Sequence, residues 1–325
     1  MGECAMTTTS EMTMHQALAE ALLEEMERDE SIFVWGEAVK SKYTFDSPRL
    51  VEKFPNRFFN LPIAEAAIVG ISVGASLLGM RPVVDLAFND LCLRAMDEIC
   101  NQAAKIRFFS GGQTRPCLVI KTEYSIPFSP QQSQFLEGLF MHTPGIRIAV
   151  PSNPADAKGL MKTALRGVDP VLFFEERRLR GPVLAGSGTI PFGEATVVRE
   201  GSDITVVTYS AMTQVALEVA KQLEGEVSIE VVDLRTLNPL DGKTIVNSVR
   251  KTGRMVTVEQ GCRTCGVGAE LASVVMEQCF DSIKRPVERV AAEDSTFPAT
   301  KALGKYVTLG AKQIAAAIKR SIGSA

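Results

Sequence analysis

Apolar and polar positions along the first half of the chain alternate between helical and strand-like patterns. Met14–Arg28 carries apolar side chains at helical spacing behind Thr13, which is a candidate N-cap. Similar helical patterns cover residues 63–78, 89–109 and 155–166. Short, continuous apolar runs occupy residues 31–35, 58–61, 82–86, 117–121, 147–149 and 171–174. Continuous apolar strands are typical of a parallel sheet covered on both faces, so the pattern predicts an α/β domain.

The second half repeats this alternation on a smaller scale. Strands are predicted at residues 203–209, 228–233, 254–259 and 287–290, and helices at 212–223, 242–249, 267–279 and 308–322. Glycine and proline are frequent between the two halves. We therefore predict two doubly wound α/β domains, at residues 13–180 and 194–325. A linker at 181–193 joins them, and residues 1–12 form a disordered extension.

Composition narrows the class of protein. The chain has 325 residues, 22% charged residues and a net charge of −3, which disfavours nucleic acid as a partner. The apolar run at residues 66–80 is too short to span a bilayer. Seven scattered cysteines and an N-terminus unlike a signal peptide favour a cytoplasmic protein.

Cys262 and Cys265 form one CxxC motif within the sequence GCRTCGVG. A metal site would need a second pair or nearby histidines, and the chain has only His15 and His142. We interpret the motif as a glycine-rich turn and leave a redox role open.

The motifs of a self-sufficient active site are missing. There is no GxGxxG after a strand and no GxxxxGK[ST] phosphate loop. A Ser-His-Asp set has no plausible context, since the chain has two histidines. The sequence therefore indicates an α/β protein that lacks a complete site of its own.

Glu65 is the main candidate for chemistry. It lies near the start of the predicted helix at residues 63–78, in the sequence NLPIAEAAIVG. One interpretation is an acid that stabilises the helix dipole by about 0.3–1 kcal/mol. However, the surrounding side chains are small and apolar, so the carboxylate should be buried and should need a partner. A ligand nitrogen could be that partner.

Several ordered stretches resemble one family. RFFNLPIAEAAIVGISVGASLLGMRPVVDLAF is similar to the pyrimidine-binding domain of the transketolase and 2-oxo acid dehydrogenase families. AMDEICNQAAKIRFFSGGQ resembles the helix and turn that follow it in dehydrogenase β subunits. DLRTLNPLD, VTVEQG and GVGAELA resemble their C-terminal domain. The resemblance covers residues 14–322 approximately and implies thiamine diphosphate as the cofactor.

The resemblance also implies roles for individual residues. Glu65 corresponds to the glutamate that hydrogen-bonds the aminopyrimidine ring and favours the tautomer that removes the thiazolium proton. Phe88 corresponds to the aromatic residue that stacks on the pyrimidine; a core role is the alternative, and its place just after a strand favours the site role. Ile63 is a further expected cofactor contact. The family's diphosphate and Mg²⁺ are held by an alpha-type partner chain, and this chain lacks the GDG motif that serves them. An α2β2 assembly is therefore expected.

Two departures from the family concern the acyl acceptor. Gln132, in QQSQ, stands where the family has a histidine for proton transfer, and glutamine cannot shuttle a proton near neutral pH. The preceding loop, KTEYSIPFSP, has no glycine and should narrow the entrance. His142 is a catalytic candidate or a structural histidine. Some members bind K⁺ near residues 166–169, where Gly167 replaces a frequent aspartate, so K⁺ is left open.

The sequence leaves three hypotheses. The first is a subunit of an enzyme that decarboxylates a 2-oxo acid, or cleaves a ketose, and transfers the acyl or ketol unit. The second is a carbon–carbon ligase whose acceptor is a carbonyl compound rather than lipoamide. The third is a non-catalytic scaffold subunit, against which the retention of Glu65 and Phe88 speaks.

Overall fold

A computed structural model describes residues 9–41, 45, 48–124, 130–184, 186 and 188–323. Two compact units are formed by interleaved segments of the chain. The first unit comprises Met1–Ala87, Arg94–Glu123 and Asn153–Pro191, and the second comprises Phe88–Leu93, Tyr124–Ser152 and Phe192–Ala325. The contiguous domains proposed from the sequence remain a prediction.

Strands and helices alternate along most of the described chain. The strands are β1 (Thr9–Thr13), β2 (Ile32–Gly36), β3 (Phe58–Asn60), β4 (Arg81–Phe88), β5 (Val119–Glu123), β6 (Arg147–Ala149), β7 (Val171–Glu175), β8 (Arg180–Leu184), β9 (Thr196–Arg199), β10 (Ile204–Thr208), β11 (Ile229–Asp233), β12 (Thr236–Asn238), β13 (Met255–Cys262) and β14 (Glu288–Ala292). The helices are α1 (Met14–Arg28), α2 (Pro48–Lys53), α3 (Glu65–Leu77), α4 (Ile106–Phe109), α5 (Glu137–Met141), α6 (Pro154–Arg166), α7 (Ala211–Gln222), α8 (Gly242–Thr252), α9 (Val267–Cys279), α10 (Lys301–Val307) and α11 (Ala311–Ile322).

The first unit is built on a sheet whose strands run in the order β7-β5-β4-β2-β3. β2 is parallel to β3 and β4, and β5 is parallel to β7. α1 begins with a capping box, in which Gln16 N–H donates to Thr13 Oγ1 at 3.1 Å and Thr13 N–H donates to Gln16 Oε1 at 3.0 Å. The predicted N-cap and the mostly parallel sheet are confirmed.

The second unit has a five-stranded sheet in the order β14-β13-β10-β11-β9. Its central strands are parallel, and β9 is antiparallel to β11. Buried aliphatic residues of β10, β11, β13, α7 and α11 form its core. β6 and β12 pair in antiparallel fashion. The predicted second α/β domain is therefore confirmed as a fold class.

The long helix predicted at residues 89–109 is wrong. A 3-10 helix at Asn89–Ala95, a π-helix at Glu98–Ala103 and α4 replace it. Asn and Asp side chains compete with helical backbone bonds, and Asn89 and Asp90 instead hydrogen-bond to Gln134. The apolar periodicity is therefore genuine, but one regular helix does not form.

The predicted disorder at residues 1–12 and linker at 181–193 each include residues that form a strand. β1 pairs with β8 in antiparallel fashion, with Met12 opposite Gly181. Gly181 and Val183 are buried while their neighbours in β8 are exposed, so an alternating strand was concealed by polar and glycine-rich composition. Residues 1–8 lie outside the described residues. Across the described chain, no helix is long and apolar enough to cross a membrane.

Candidate active site

Glu65 is the first residue of α3 and is 7% exposed. The N-cap residue, Ala64, has no side chain that can accept a hydrogen bond from the first turn. Among the described residues, no hydrogen bond or ion pair engages the Glu65 carboxylate. Ile63 precedes the helix and is 78% exposed. A nearly buried carboxylate therefore lies at a helix N-terminus, free to accept a hydrogen bond from an N–H donor.

The segment before α3 is held against the end of β2. Leu61 N–H donates to the Gly36 carbonyl at 2.9 Å. Gly36 lies opposite Asp85 of β4, and a Cβ at Gly36 would lie 2.3 Å from the Asp85 carbonyl oxygen. Only glycine permits this approach. The close pairing brings Glu37, the residue after β2, to the carboxyl ends of the parallel strands, where α/β proteins bind ligands.

Carboxylates at this edge influence one another. Burial raises the pKa of Glu37, and the negative charges of Glu65 and Asp85 raise it further. Glu37 consequently keeps its proton to a higher pH than an exposed glutamate does.

Lys121, in β5, joins acids on neighbouring strands through a buried network. Its Nζ atom lies 2.7 Å from Glu175 Oε2 and 3.1 Å from Asp85 Oδ2. Glu123 Oε2 lies 3.8 Å from the same amine. His15 Nδ1 is 3.1 Å from Glu175 Oε1. The Lys121 and Glu175 side chains are 1% and 0% exposed, so the charges lie almost wholly within the protein.

The network holds Lys121 and Glu175 in their charged forms. Burial alone would lower the pKa of Lys121, but the charges of Asp85, Glu175 and Glu123 raise it well above its usual value. Burial alone would raise the pKa of Glu175, but Lys121 and His15 bring it down to about 2. The positive charge of Lys121 thus compensates the negative charge of the buried acids around it.

Phe88 ends β4 after a backbone distortion. Ala87 has φ +53°, which is unfavourable for a residue with a side chain. Its N–H donates to Asp85 Oδ1 at 2.7 Å, and its carbonyl accepts from Thr122 Oγ1 at 3.4 Å. These contacts maintain the turn that directs the chain into Phe88, which is half-buried.

Gln132 lies in a 3-10 turn, Pro130–Gln132, and is half-buried. Two hydrogen bonds connect the residues after Phe88 to the same loop: Asn89 Nδ2 donates to the Gln134 carbonyl at 3.0 Å, and Gln134 Nε2 donates to Asp90 Oδ1 at 2.7 Å. The segments carrying Phe88 and Gln132 are therefore linked within the second unit. Residues 125–129 of the glycine-free loop lie outside the described residues.

His142 follows α5 as its C-cap and is exposed. A histidine at a helix C-terminus interacts favourably with the dipole when protonated, which supplies a structural role. Its catalytic role stays a prediction.

A second acidic cluster lies within the second unit. Tyr209 Oη donates to Glu137 Oε1 at 2.7 Å. Glu259 Oε1 accepts the Gly268 N–H at 2.8 Å, and a Cβ at Gly268 would lie 2.7 Å from that oxygen. A side chain is excluded at Gly266 as well, because a Cβ there would lie 2.6 Å from Glu259 Oε2. The glycine-rich GVG segment therefore forms a tight enclosure for the Glu259 carboxylate.

The raised pKa of Glu259 leads to the prediction that the free energy of unfolding depends on pH. Burial, with a further contribution from Glu137, raises the pKa of Glu259 to about 7. The folded state therefore keeps a proton that the unfolded state releases, and stability should fall as pH rises from about 4.5 to 7. The free energy of unfolding of the wild type should fall by an amount on the order of 3 kcal/mol over that pH interval. In Glu259→Gln this fall should be absent. Urea unfolding between pH 5 and 8 measures it.

The matched control is Glu270→Gln, which changes an exposed glutamate of α9. Its stability should follow the wild-type pH curve. Parallel curves for wild type and Glu259→Gln would contradict the prediction.

Cys262 ends β13, and Cys265 follows in a turn with φ +56°. Both are exposed free thiols. Cys262 also lines a cavity of about 560 Å³, together with Gln134, Phe135 and Gln260. The arrangement is a turn leading into α9, which agrees with the interpretation from the sequence.

The turn at residues 166–169 is held by hydrogen bonds to backbone carbonyls, and K⁺ binding there stays a prediction. Arg81 donates from one guanidinium nitrogen to the Leu165 carbonyl at 3.0 Å and to the Gly167 carbonyl at 2.7 Å. The Ala164 carbonyl accepts the Gly167 N–H at 3.2 Å. Backbone carbonyls in and beside this turn thus accept hydrogen bonds from within the chain. Across the described residues, no group of three or more His, Cys, Asp or Glu side chains is arranged to hold a metal.

Sequence reasoning missed Glu37, Asp85, Lys121 and the pair Asn89–Asp90. One signal was available, since Lys121 is a lysine within an apolar strand, CLVIK, and a buried lysine requires acids. The acids themselves lie far apart in the chain, and only the sheet order brings them together.

Comparison with known families agrees with this architecture. Residues 10–182 match the transketolase pyrimidine-binding domain, and residues 193–314 match the transketolase C-terminal domain. In structure, the chain is similar to a split-gene transketolase described as an inactive β4 tetramer. The TM-score is 0.83 at 27% identity, over 96% of this chain and 99% of the other. The fold is therefore transketolase-like.

Relatives in sequence narrow the family. The chain is 37% identical to the pyruvate dehydrogenase E1 component subunit beta of Rickettsia felis, over 95% of this chain and 98% of the relative. It is 37% identical to the acetoin:2,6-dichlorophenolindophenol oxidoreductase subunit beta of Cupriavidus necator, over 96% and 97%. The 2-oxoisovalerate dehydrogenase subunit beta of Bacillus subtilis is also 37% identical, over 95% and 98%. The chain belongs to the family of β subunits of thiamine-diphosphate-dependent 2-oxo acid dehydrogenases, which are heteromeric enzymes.

Proposed function

We propose that this chain contributes the pyrimidine half of a shared thiamine diphosphate site, and that an alpha-type partner contributes the diphosphate and Mg²⁺ half. The complete enzyme would decarboxylate a 2-oxo acid and transfer the acyl unit to an acceptor. One observation carries the proposal: Glu65 is nearly buried at the start of α3 and has no partner among the described residues. An aminopyrimidine ring offers the N–H donor that this carboxylate needs.

The chain's own residues would act before and during proton removal. Glu65 would accept a hydrogen bond from the pyrimidine ring nitrogen and keep the ring in its reactive tautomer. Phe88 would pack on the ring face, and Ile63 would add an apolar contact. The cofactor, when bound, supplies the electron sink for decarboxylation.

The need for a partner has independent support. The described residues contain no cluster suited to a metal, and the similar split-gene transketolase chain is described as inactive when it forms a β4 tetramer. We therefore propose that the chain is inactive alone and assembles as α2β2 in the cytoplasm. The carbonyls near residues 166–169 already accept hydrogen bonds, so no role is assigned to K⁺.

Calorimetric titration of thiamine diphosphate with Mg²⁺ tests the shared site. The titration uses this chain alone, the alpha-type chain alone, and the co-expressed pair. We expect tight binding to the pair only, followed by decarboxylation of a 2-oxo acid by the pair. Tight binding to the lone chain would overturn the shared site, and no binding to the pair would favour a scaffold role.

Gln132 bears on the identity of the acceptor. A glutamine at this position can donate and accept hydrogen bonds but cannot transfer a proton, so reduction of lipoamide should be slow. We expect Gln132→His to increase lipoamide-dependent turnover at least tenfold, within the range of general acid–base catalysis. Turnover with a dye as electron acceptor should change much less.

Gln131→His is the matched control, because Gln131 is the exposed neighbour in the same turn. No gain in either variant would point to a different acceptor. Product analysis with added aldehydes would then show whether a carbon–carbon bond forms.

A further inference from the structure

Asn89, Asp90 and Gln134 form a clamp between the two segments that carry Phe88 and Gln132. Asn89 is fully buried, and Asp90 is 7% exposed. Asn89 Nδ2 donates to the Gln134 carbonyl at 3.0 Å, while Gln134 Nε2 donates to Asp90 Oδ1 at 2.7 Å. Asn89 Nδ2 also lies 3.4 Å from Asp90 Oδ2. The loop is thus held through both its backbone and its side chain.

The clamp acts at short range in the sequence on both sides. Asn89 and Asp90 directly follow Phe88, the last residue of β4. Gln134 lies two residues after Gln132. Because the hydrogen-bonded residues lie only one or two positions from Phe88 and from Gln132, the backbone between them has little conformational freedom. The clamp therefore determines where Gln132 lies relative to Phe88.

The energetics favour a specific arrangement. Burial raises the pKa of Asp90, and its hydrogen bonds with Gln134 oppose that rise. A buried donor or acceptor that loses its partner keeps its full cost of desolvation, so loss of the bonds to Gln134 would leave polar atoms of Asn89 and Asp90 buried and unpaired. The loop of Gln134 also lines the cavity of about 560 Å³, so its position shapes that space.

We propose that Asn89 and Asp90 are positioning residues, which hold Gln132 in place and thereby set the fit of the acyl acceptor. The inference rests on the proposed function for its catalytic consequence. The clamp itself is a property of this chain and can be measured without catalysis.

A reversed pair provides the test. Asp90→Asn removes one acceptor oxygen, and Gln134→Glu places two acids against each other. The double variant restores the bond in the opposite direction, because the amide introduced by Asp90→Asn can donate to the new carboxylate. We expect each single change to raise the acceptor KM of the reconstituted enzyme about tenfold, and the double change to return it to within about threefold of wild type.

Two further measurements keep the outcomes distinct. Gln134→Met removes the side-chain hydrogen bond to Asp90 at an exposed position, so the variant should fold. The variant should have a raised acceptor KM, while its affinity for thiamine diphosphate stays near wild type. Hydrogen exchange at residues 130–134 of the isolated chain should accelerate in each single variant. Unchanged exchange, or a double variant no better than the singles, would overturn the clamp. Accelerated exchange in a pair that transfers no acyl unit at all would instead refute the proposed function.

Discussion

Glu65→Gln is expected to reduce turnover of the reconstituted enzyme by about 10²- to 10⁴-fold, the usual contribution of an acid–base group. A glutamine keeps the size of the side chain but removes the charge that stabilises the reactive tautomer of the pyrimidine. Since Glu65 has no ion pair among the described residues, its loss should leave the fold intact. Initial rates at saturating cofactor, with circular dichroism of the same samples, measure both effects.

Glu270→Gln is a suitable control, because it also removes a first-turn acid but on the exposed surface of α9. It should lose only the helix-dipole contribution, and activity should remain near wild type. Turnover of Glu65→Gln within a few-fold of wild type would sink the assignment of this residue, and activity surviving Glu65→Ala would point to a different cofactor geometry.

Lys121→Met is expected to destabilise the chain by about 3–5 kcal/mol, the usual cost of leaving buried charges without a partner. The lysine is 1% exposed, and its ion pairs with Asp85 and Glu175 would both disappear. Urea unfolding at pH 7 measures the loss. Lys221→Met, at an exposed position late in α7, should cost less than about 1 kcal/mol.

The pH dependence separates this electrostatic cause from a packing defect. In the wild type, Lys121 and His15 bring the pKa of Glu175 down to about 2, so its stabilising charge is lost only as pH falls towards that value. Without Lys121, burial should raise the pKa of Glu175 and of Glu123, and protonation should relieve the repulsion between these two acids. The difference from wild type should therefore shrink as pH falls from 7 to 5. A constant difference would indicate a cavity instead.

The predictable part of the fold is the part that depends on local patterns. α1, α6 and the parallel strands follow from apolar periodicity and from caps such as Thr13, whose partner Gln16 is three residues away. The prediction of one helix at residues 89–109 is wrong because the same apolar periodicity accommodates a 3-10 helix, a π-helix and a short α-helix. The choice among these depends on Gln134, which lies 45 residues from Asn89.

The candidate site divides in the same way. Glu65 is identifiable because a lone acid among small apolar residues is conspicuous in one dimension. Asp85 and Glu175 are not, since each lies in an ordinary strand and its role becomes visible only when Lys121 lies between them. Sheet order, rather than any short motif, creates that neighbourhood.

The interleaving of the two units has a consequence at the level of the gene. The chain passes from one compact unit to the other at residues 87–88, 93–94, 123–124, 152–153 and 191–192. A single break near residue 190 would separate the two family domains. Residues 88–93 and 124–152 would then lie on the N-terminal fragment, apart from the rest of the second unit. Fragments cloned at that boundary should each expose apolar surface. Evolution can therefore split or fuse this protein more readily at its ends than between its domains.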